Sequence, residues 1–178
     1  MARYSASSFR TLGIAATTQY LLTIENTHAT RIVRVRRLVF QMDATALLAA
    51  VMPQFKTSRC AVPTGGTALT KTMFDSSLGA SDASVIIRGG TASDGGGATA
   101  ITATPAALLW QQYGMRMHTV VGQVLGPDNN LLPALVETTP VVLRENEALV
   151  VHILAAAGTS NPVTNFYFVE LVWDEDAS

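Results

Sequence analysis

The side chains of this 178-residue chain best suited to metal, nucleophilic or acid–base chemistry are three histidines, one cysteine and a few neighbouring carboxylates. His28, His118 and His152 stand far apart, and none has a second histidine within four residues. The clustered histidine pair of a β-barrel metal centre is therefore missing, and no metal or other cofactor is expected. Cys60 is a lone thiol that can form no disulfide within the chain, and activating it would need a base that the sequence does not set beside it. Glu145 and Glu147 fall in the turn RENE, an ordinary setting for solvated charge, and Asp174-Glu175-Asp176 form an acidic tail; nothing marks either as an acid–base pair. There is no Gly-x-Ser-x-Gly elbow for a nucleophilic serine. The segment GGTASDGGG, 89–97, has five glycines in nine residues but no Lys-Ser or Lys-Thr after it, so it reads as a surface loop and not a phosphate cradle. An enzyme is not expected.

Residues suited to contact are better represented. Arg31, Arg34, Arg36 and Arg37 place four cations in seven residues. On a strand Arg34 and Arg36 share a face, and a slip in the alternation at Arg36-Arg37 points to a bulge that sends Arg37 the other way. These arginines either protect a solvated edge or meet an acidic partner through the bidentate geometry of guanidinium. Trp110 and Tyr113 are the aromatics that could receive a sugar or other ligand, with packing as the plain alternative.

The charge is unevenly spread. Residues 1–37 carry six arginines against Glu25 alone, while residues 137–178 carry seven acids against Arg144 alone. Pairing of the first and last strands inside one chain is the simpler consequence, and complementary patches on neighbouring copies are the other. Only 14% of residues are charged and the net charge is −1, which argues against nucleic-acid binding. With a mean hydropathy of +0.28, part of the outside should be covered. No window approaches an uninterrupted apolar span, and the broken apolar stretch after the N-terminal Met is a poor signal peptide, so no membrane contact is expected.

Short strands separated by turn signals must position these residues. Strands are expected at Gln19–Asn26, Arg31–Met42, Gln54–Cys60, Ala68–Met73, Ser84–Arg88, Met115–Leu125, Pro140–Leu143, Ala148–Ala156 and Asn165–Trp173. Thr104-Pro105 opens at most one short helix, over AALLWQQY. Residues 1–18, rich in Ser, Ala and Thr, read as an extended arm, and 19–178 as a single antiparallel all-β sandwich or barrel, with a jelly-roll sandwich the form expected. The last two strands are apolar on both faces: Val150 and Leu154 flank His152, and Phe166 and Phe168 precede Glu170. Either a second layer of the same chain or another subunit must cover the outer rows, and a subunit is the favoured cover.

The C-terminal third, PVVLRENEALVVHILAAAGTSNPVTNFYFVELVWDE, resembles the closing strands of jelly-roll proteins from tailed-bacteriophage capsids. Pro140, Glu145, Glu147-Ala148-Leu149 and Trp173-Asp174-Glu175 carry the likeness, together with the basic strand RIVRVRRLVF. The resemblance implies a cement or decoration protein: a trimer on the capsid surface, assembled in the host cytoplasm, whose partner is the major capsid protein. Arg31, Arg34, Arg36, Arg37, Phe166 and Phe168 are then the expected contacts. A carbohydrate- or receptor-binding module of a phage fibre or tail tip is the alternative.

Overall fold

The computed structural model describes residues 1–12, 18–44, 54–77, 79–90, 101–113, 140–154 and 165–176. Among them the regular elements are eleven strands, and no helix is present. In chain order they are β1 (Ala2–Leu12), β2 (Gln19–Asn26), β3 (Val33–Ala44), β4 (Gln54–Cys60), β5 (Thr67–Ala68), β6 (Thr72–Met73), β7 (Val85–Gly89), β8 (Pro105–Tyr113), β9 (Val141–Leu143), β10 (Glu147–Leu154) and β11 (Asn165–Glu175). They form two antiparallel sheets, ordered β6-β1-β11-β3-β9 and β5-β7-β2-β10-β4-β8.

Eight strands pair as one long nested hairpin: β1 with β11, β2 with β10, β3 with β9 and β4 with β8. The hairpin is rolled so that β3 also pairs with β11, and β4 with β10. Consecutive strands of this set alternate between the sheets except at β4 and β8, which pair within the second sheet, and this brings the apolar faces of both sheets onto one core. The three short strands between β4 and β8 only extend the edges, β7 on β2, β5 on β7 and β6 on β1.

The core follows from the alternation. Val33, Val35, Leu38, Val169, Leu171 and Trp173 of the first sheet meet Leu22, Ile24, Val85, Ile87, Leu149 and Val151 of the second. Trp173 is fully buried and stacks on Tyr4, with ring centroids 5.8 Å apart. β2 and β4 span the expected residues, and the remaining strands that were expected within the described residues shift by a residue or two. The Ala68–Met73 strand is two short ones, β5 and β6, in different sheets. The Met115–Leu125 strand and most of the 89–97 loop lie outside the described residues.

Four expectations are corrected. Residues 2–12 are no arm: β1 pairs with β11 over its whole length and buries Tyr4, Ala6 and Ser8. Two of these three inner positions, Ala6 and Ser8, are small, and at Ser8 the opposite sheet comes close: a Cβ built on Gly89 would lie 2.8 Å from Ser8 Oγ. Small polar residues therefore hide a buried strand behind an unpatterned sequence. The helix at 105–113 is β8, hydrogen-bonded to β4. Proline at the first strand position gives up no ladder bond, and the Ala/Leu preference for helix, a few tenths of a kcal/mol per residue, yields to that ladder.

The third correction concerns the outer face of the second sheet. Val150 is 0% exposed within the single chain, clustered with Cys60, Ala148, Tyr20 and Ala103, so no subunit is needed to cover it. A backbone bridge between Thr64 and Thr102 brings both flanking segments together, and Ile101 is buried beside them. The side chain of Leu154 lies outside the described residues. The fourth concerns Arg37. The bulge is where the sequence places it, since Val172 faces Arg37 and Trp173 faces Val35, which leaves Arg36 as the extra residue. Its effect is to keep Val35 and Leu38 inward while both Arg36 and Arg37 stay on the outer face, where they line the same groove.

An integral β1 gives a direct expectation. Tyr4→Ala should lower the free energy of unfolding by about 3–5 kcal/mol, the usual cost of removing a buried aromatic. Deleting residues 1–12 should abolish cooperative thermal unfolding, followed by circular dichroism. A deleted protein that melts as the full chain does would return these residues to the status of an arm.

Candidate functional site

The charged residues of the first and last strands meet on the outer face of the first sheet. Asp174 lies on β11 between β1 and β3, only 2% exposed, and accepts hydrogen bonds from both neighbours. Arg3 Nε donates to Oδ1 at 2.8 Å and Arg36 Nε to Oδ2 at 2.7 Å. Burial pushes the Asp174 carboxyl upward, but the hydrogen bonds and charges of Arg3 and Arg36 outweigh it and hold the group below its ordinary value. Arg34 pairs with Asp176 one step along the strand. The uneven charge of the two chain ends is thus resolved within one molecule, as the simpler reading had it.

Of the four clustered arginines, three are held by carboxylates of the same chain. Arg31 meets Asp82 at 2.6 Å, and Arg34 and Arg36 are bound to Asp176 and Asp174. Arg37 differs: it is exposed and has no ion-pair partner among the described residues. It borders an open groove of about 410 Å³ lined by Arg3, Arg36, Arg37, Phe74 and Val172. Phe74 is 61% exposed, yet its backbone is fixed, because its N–H donates to the Arg3 carbonyl at 3.1 Å. Val172 is buried and forms the apolar floor.

The sequence reading missed Arg3 and Phe74. Arg3 sits in the segment taken for an arm, and Phe74 follows a two-residue strand too short to show a period. The expected residues are only partly brought together. Phe168 is half-buried on the same strand as Val172, while the side chain of Phe166 lies outside the described residues. Trp110 and Tyr113 belong to β8 in the other sheet, opposite Thr57 and Gln54, and their side chains also lie outside the described residues.

A second polar cluster pins the 79–84 segment beneath β11. Glu175 is buried and accepts from Trp173 Nε1 at 2.9 Å, from Ser81 Oγ at 2.5 Å and from the Asp82 N–H at 3.0 Å. Lys71 Nζ donates to the Asp82 and Val85 carbonyls, and burial lowers its pKa against the pull of Glu175 and Asp82. These groups satisfy one another and hold a loop. Cys60 is buried and its thiol is pushed up to about 11 by burial and by Glu25, so it stays protonated near neutral pH. Among the described residues, no group of three His, Cys, Asp or Glu could hold a metal ion, and no helix is long and apolar enough to cross a membrane.

Comparison with known proteins yields no match: no family model, no curated protein and no solved structure is similar to this chain.

His152 supplies a pH test. It is 4% exposed beside Tyr20, and burial, reinforced by Lys56, lowers its pKa to about 4. In the unfolded chain a histidine titrates near 6.5, so below that pH the unfolded state takes up a proton that the folded state refuses. The contribution is complete above pH 6.5 and declines as pH falls towards 4, by on the order of 3 kcal/mol in total. Urea unfolding should show this decline for the wild type and a flatter profile for His152→Gln. Equal slopes would mean that His152 is not the titrating group.

Proposed function

We propose that this chain is a structural virion protein that decorates and stabilises an icosahedral phage capsid by bridging capsomers. The observation that carries the reading is the strand order. A nested eight-strand hairpin rolled into two four-stranded faces is the connectivity of a jelly roll, and we take the fold to be one. The residues that carry the sequence resemblance occupy its closing strands. Pro140 precedes β9, Glu145 and Glu147 flank the turn into β10, and Trp173-Asp174-Glu175 end β11. In that turn Asn146 adopts φ 59°, a left-handed conformation that asparagine tolerates. Glu147 closes the turn by accepting from the Arg144 N–H at 2.7 Å.

Contact with the shell then falls to surfaces built into the sandwich, because the N-terminal residues are committed to β1. Of the exposed members of the basic groove, Arg3, Arg37 and Phe74, the last two are the best placed for it, since Arg3 is bound to Asp174. Replacing Arg34 or Arg36 acts on the fold, since both are bound to carboxylates of the same chain. Self-association, as a homotrimer, is assigned to β8. Among the described residues that strand is the edge of its sheet; it exposes Leu108 and Leu109 and carries no charge that would repel a second copy.

Co-sedimentation with undecorated capsid shells tests the proposal. The protein should pellet with shells and raise the temperature at which they release their contents, and Leu108→Glu should lower both avidity and sedimenting mass. A protein that is monomeric at micromolar concentration and binds no shell, but is retained on a glycan array, would establish the fibre or tail-tip alternative instead.

A further inference from the structure

We propose that the groove between Arg3, Arg37, Phe74 and Val172 is a binding site for an acidic peptide segment of a partner protein. A carboxylate side chain of that segment meets Arg37, and a neighbouring apolar side chain packs on Phe74 over Val172. The inference rests on the reading of the chain as a partner-binding structural protein and names the chemistry of the contact.

Three observations carry it. The first is charge. Three guanidinium groups line the groove, and the carboxylate beneath them, Asp174, is buried and already shared by Arg3 and Arg36. Asp174 cannot turn outward to Arg37 without giving up two charge-assisted hydrogen bonds in a buried site. The groove is left with a positive excess in which Arg37 has no ion-pair partner among the described residues, and an acidic ligand is its complement.

The second is the bulge. An unbulged β3 that kept Val35 inward would carry Arg37 into the core, but the extra residue at Arg36 sets two consecutive arginines on the outer face. Bulges of this kind re-aim side chains beside functional sites, and here the re-aimed side chain is the guanidinium with no ion-pair partner among the described residues. The third is Phe74. An aromatic ring that is 61% exposed, on backbone fixed by a hydrogen bond to Arg3, is a pre-placed apolar anchor. The pairing of Arg37 with Phe74 and Val172 favours a peptide, in which carboxylate and apolar side chains alternate, over a nucleic acid. A continuous phosphate backbone would also meet Glu170, on the same strand as Val172, and Asp176, just beyond its end, in a chain of net charge −1.

The test uses the full chain and a fluorescein-labelled nine-residue peptide in which Asp and Glu alternate with Phe and Leu, read by fluorescence anisotropy. A peptide with lysine at every acidic position is the control, and a single-stranded oligothymidylate is the competing class. The acidic peptide should bind, weaken with salt, and lose affinity at least about tenfold in Arg37→Glu and about fivefold in Phe74→Ala, while the lysine peptide should not bind. Both residues are exposed, so unchanged melting temperatures show that the variants are folded. Equal binding by Arg37→Glu, no binding of the acidic peptide, or tighter binding of the oligothymidylate overturns the proposal. Running the same proteins against undecorated shells separates the two readings. Peptide binding that Arg37→Glu abolishes, with no shell binding by either protein, keeps the groove and removes the shell. Shell binding by both proteins, with no peptide bound, removes the groove and keeps the shell.

Discussion

A single buried carboxylate, Asp174, holds the two ends of the chain in one sheet. It sits on the middle strand of three, and the strands on either side each send it an arginine, Arg3 from β1 and Arg36 from β3. A buried carboxylate with one partner removed costs roughly 3–5 kcal/mol, a large part of a domain's net stability. The arrangement therefore holds β1, β11 and β3 in register as a unit. It also fixes the bulge, because Arg36 is the inserted residue and reaches Asp174 only from the outer face.

The rest of the structure follows from that register. With β11 flanked by β1 and β3, Trp173 faces inward against Tyr4, and Leu171 and Val169 continue the same inner row. The nested pairing repeats in the second sheet, where β10 lies between β2 and β4. The groove is a by-product of the clamp. Two of its guanidinium groups are held by Asp174, and Arg37 is left projecting beside Phe74. Stability and partner contact are thereby divided among neighbouring arginines of one face, with Arg36 serving the fold and Arg37 offered outward.

Much of this was legible in the sequence because it depends on period-two alternation. β2 and β4 were located to the residue, and the two polar residues interrupting RIVRVRRLVF marked the bulge. The opposed charge of the two chain ends signalled their pairing. What failed to show depended on tertiary contacts. β1 has an inner face of Tyr4, Ala6 and Ser8, the last closely approached by Gly89 of the other sheet, and its small residues carry little pattern. β8 has helix-favouring composition overridden by its ladder to β4. The apolar row at Val150 looked like a subunit contact because no local signal says that the 61–66 and 101–104 segments, joined by the Thr64–Thr102 bridge, lie beside it. The groove depended on Arg3 and Phe74, which are neighbours only after folding.

Hydrogen–deuterium exchange of the native protein tests most directly whether the N-terminal residues are a structural strand locked by Asp174. If they are, the β1 amides that bond to β11 exchange only through global unfolding, with the same free energy as the β11 amides that they face. Exchange of the 2–12 amides at the rate of a fraying end, while β11 and β3 remain protected, would contradict the account.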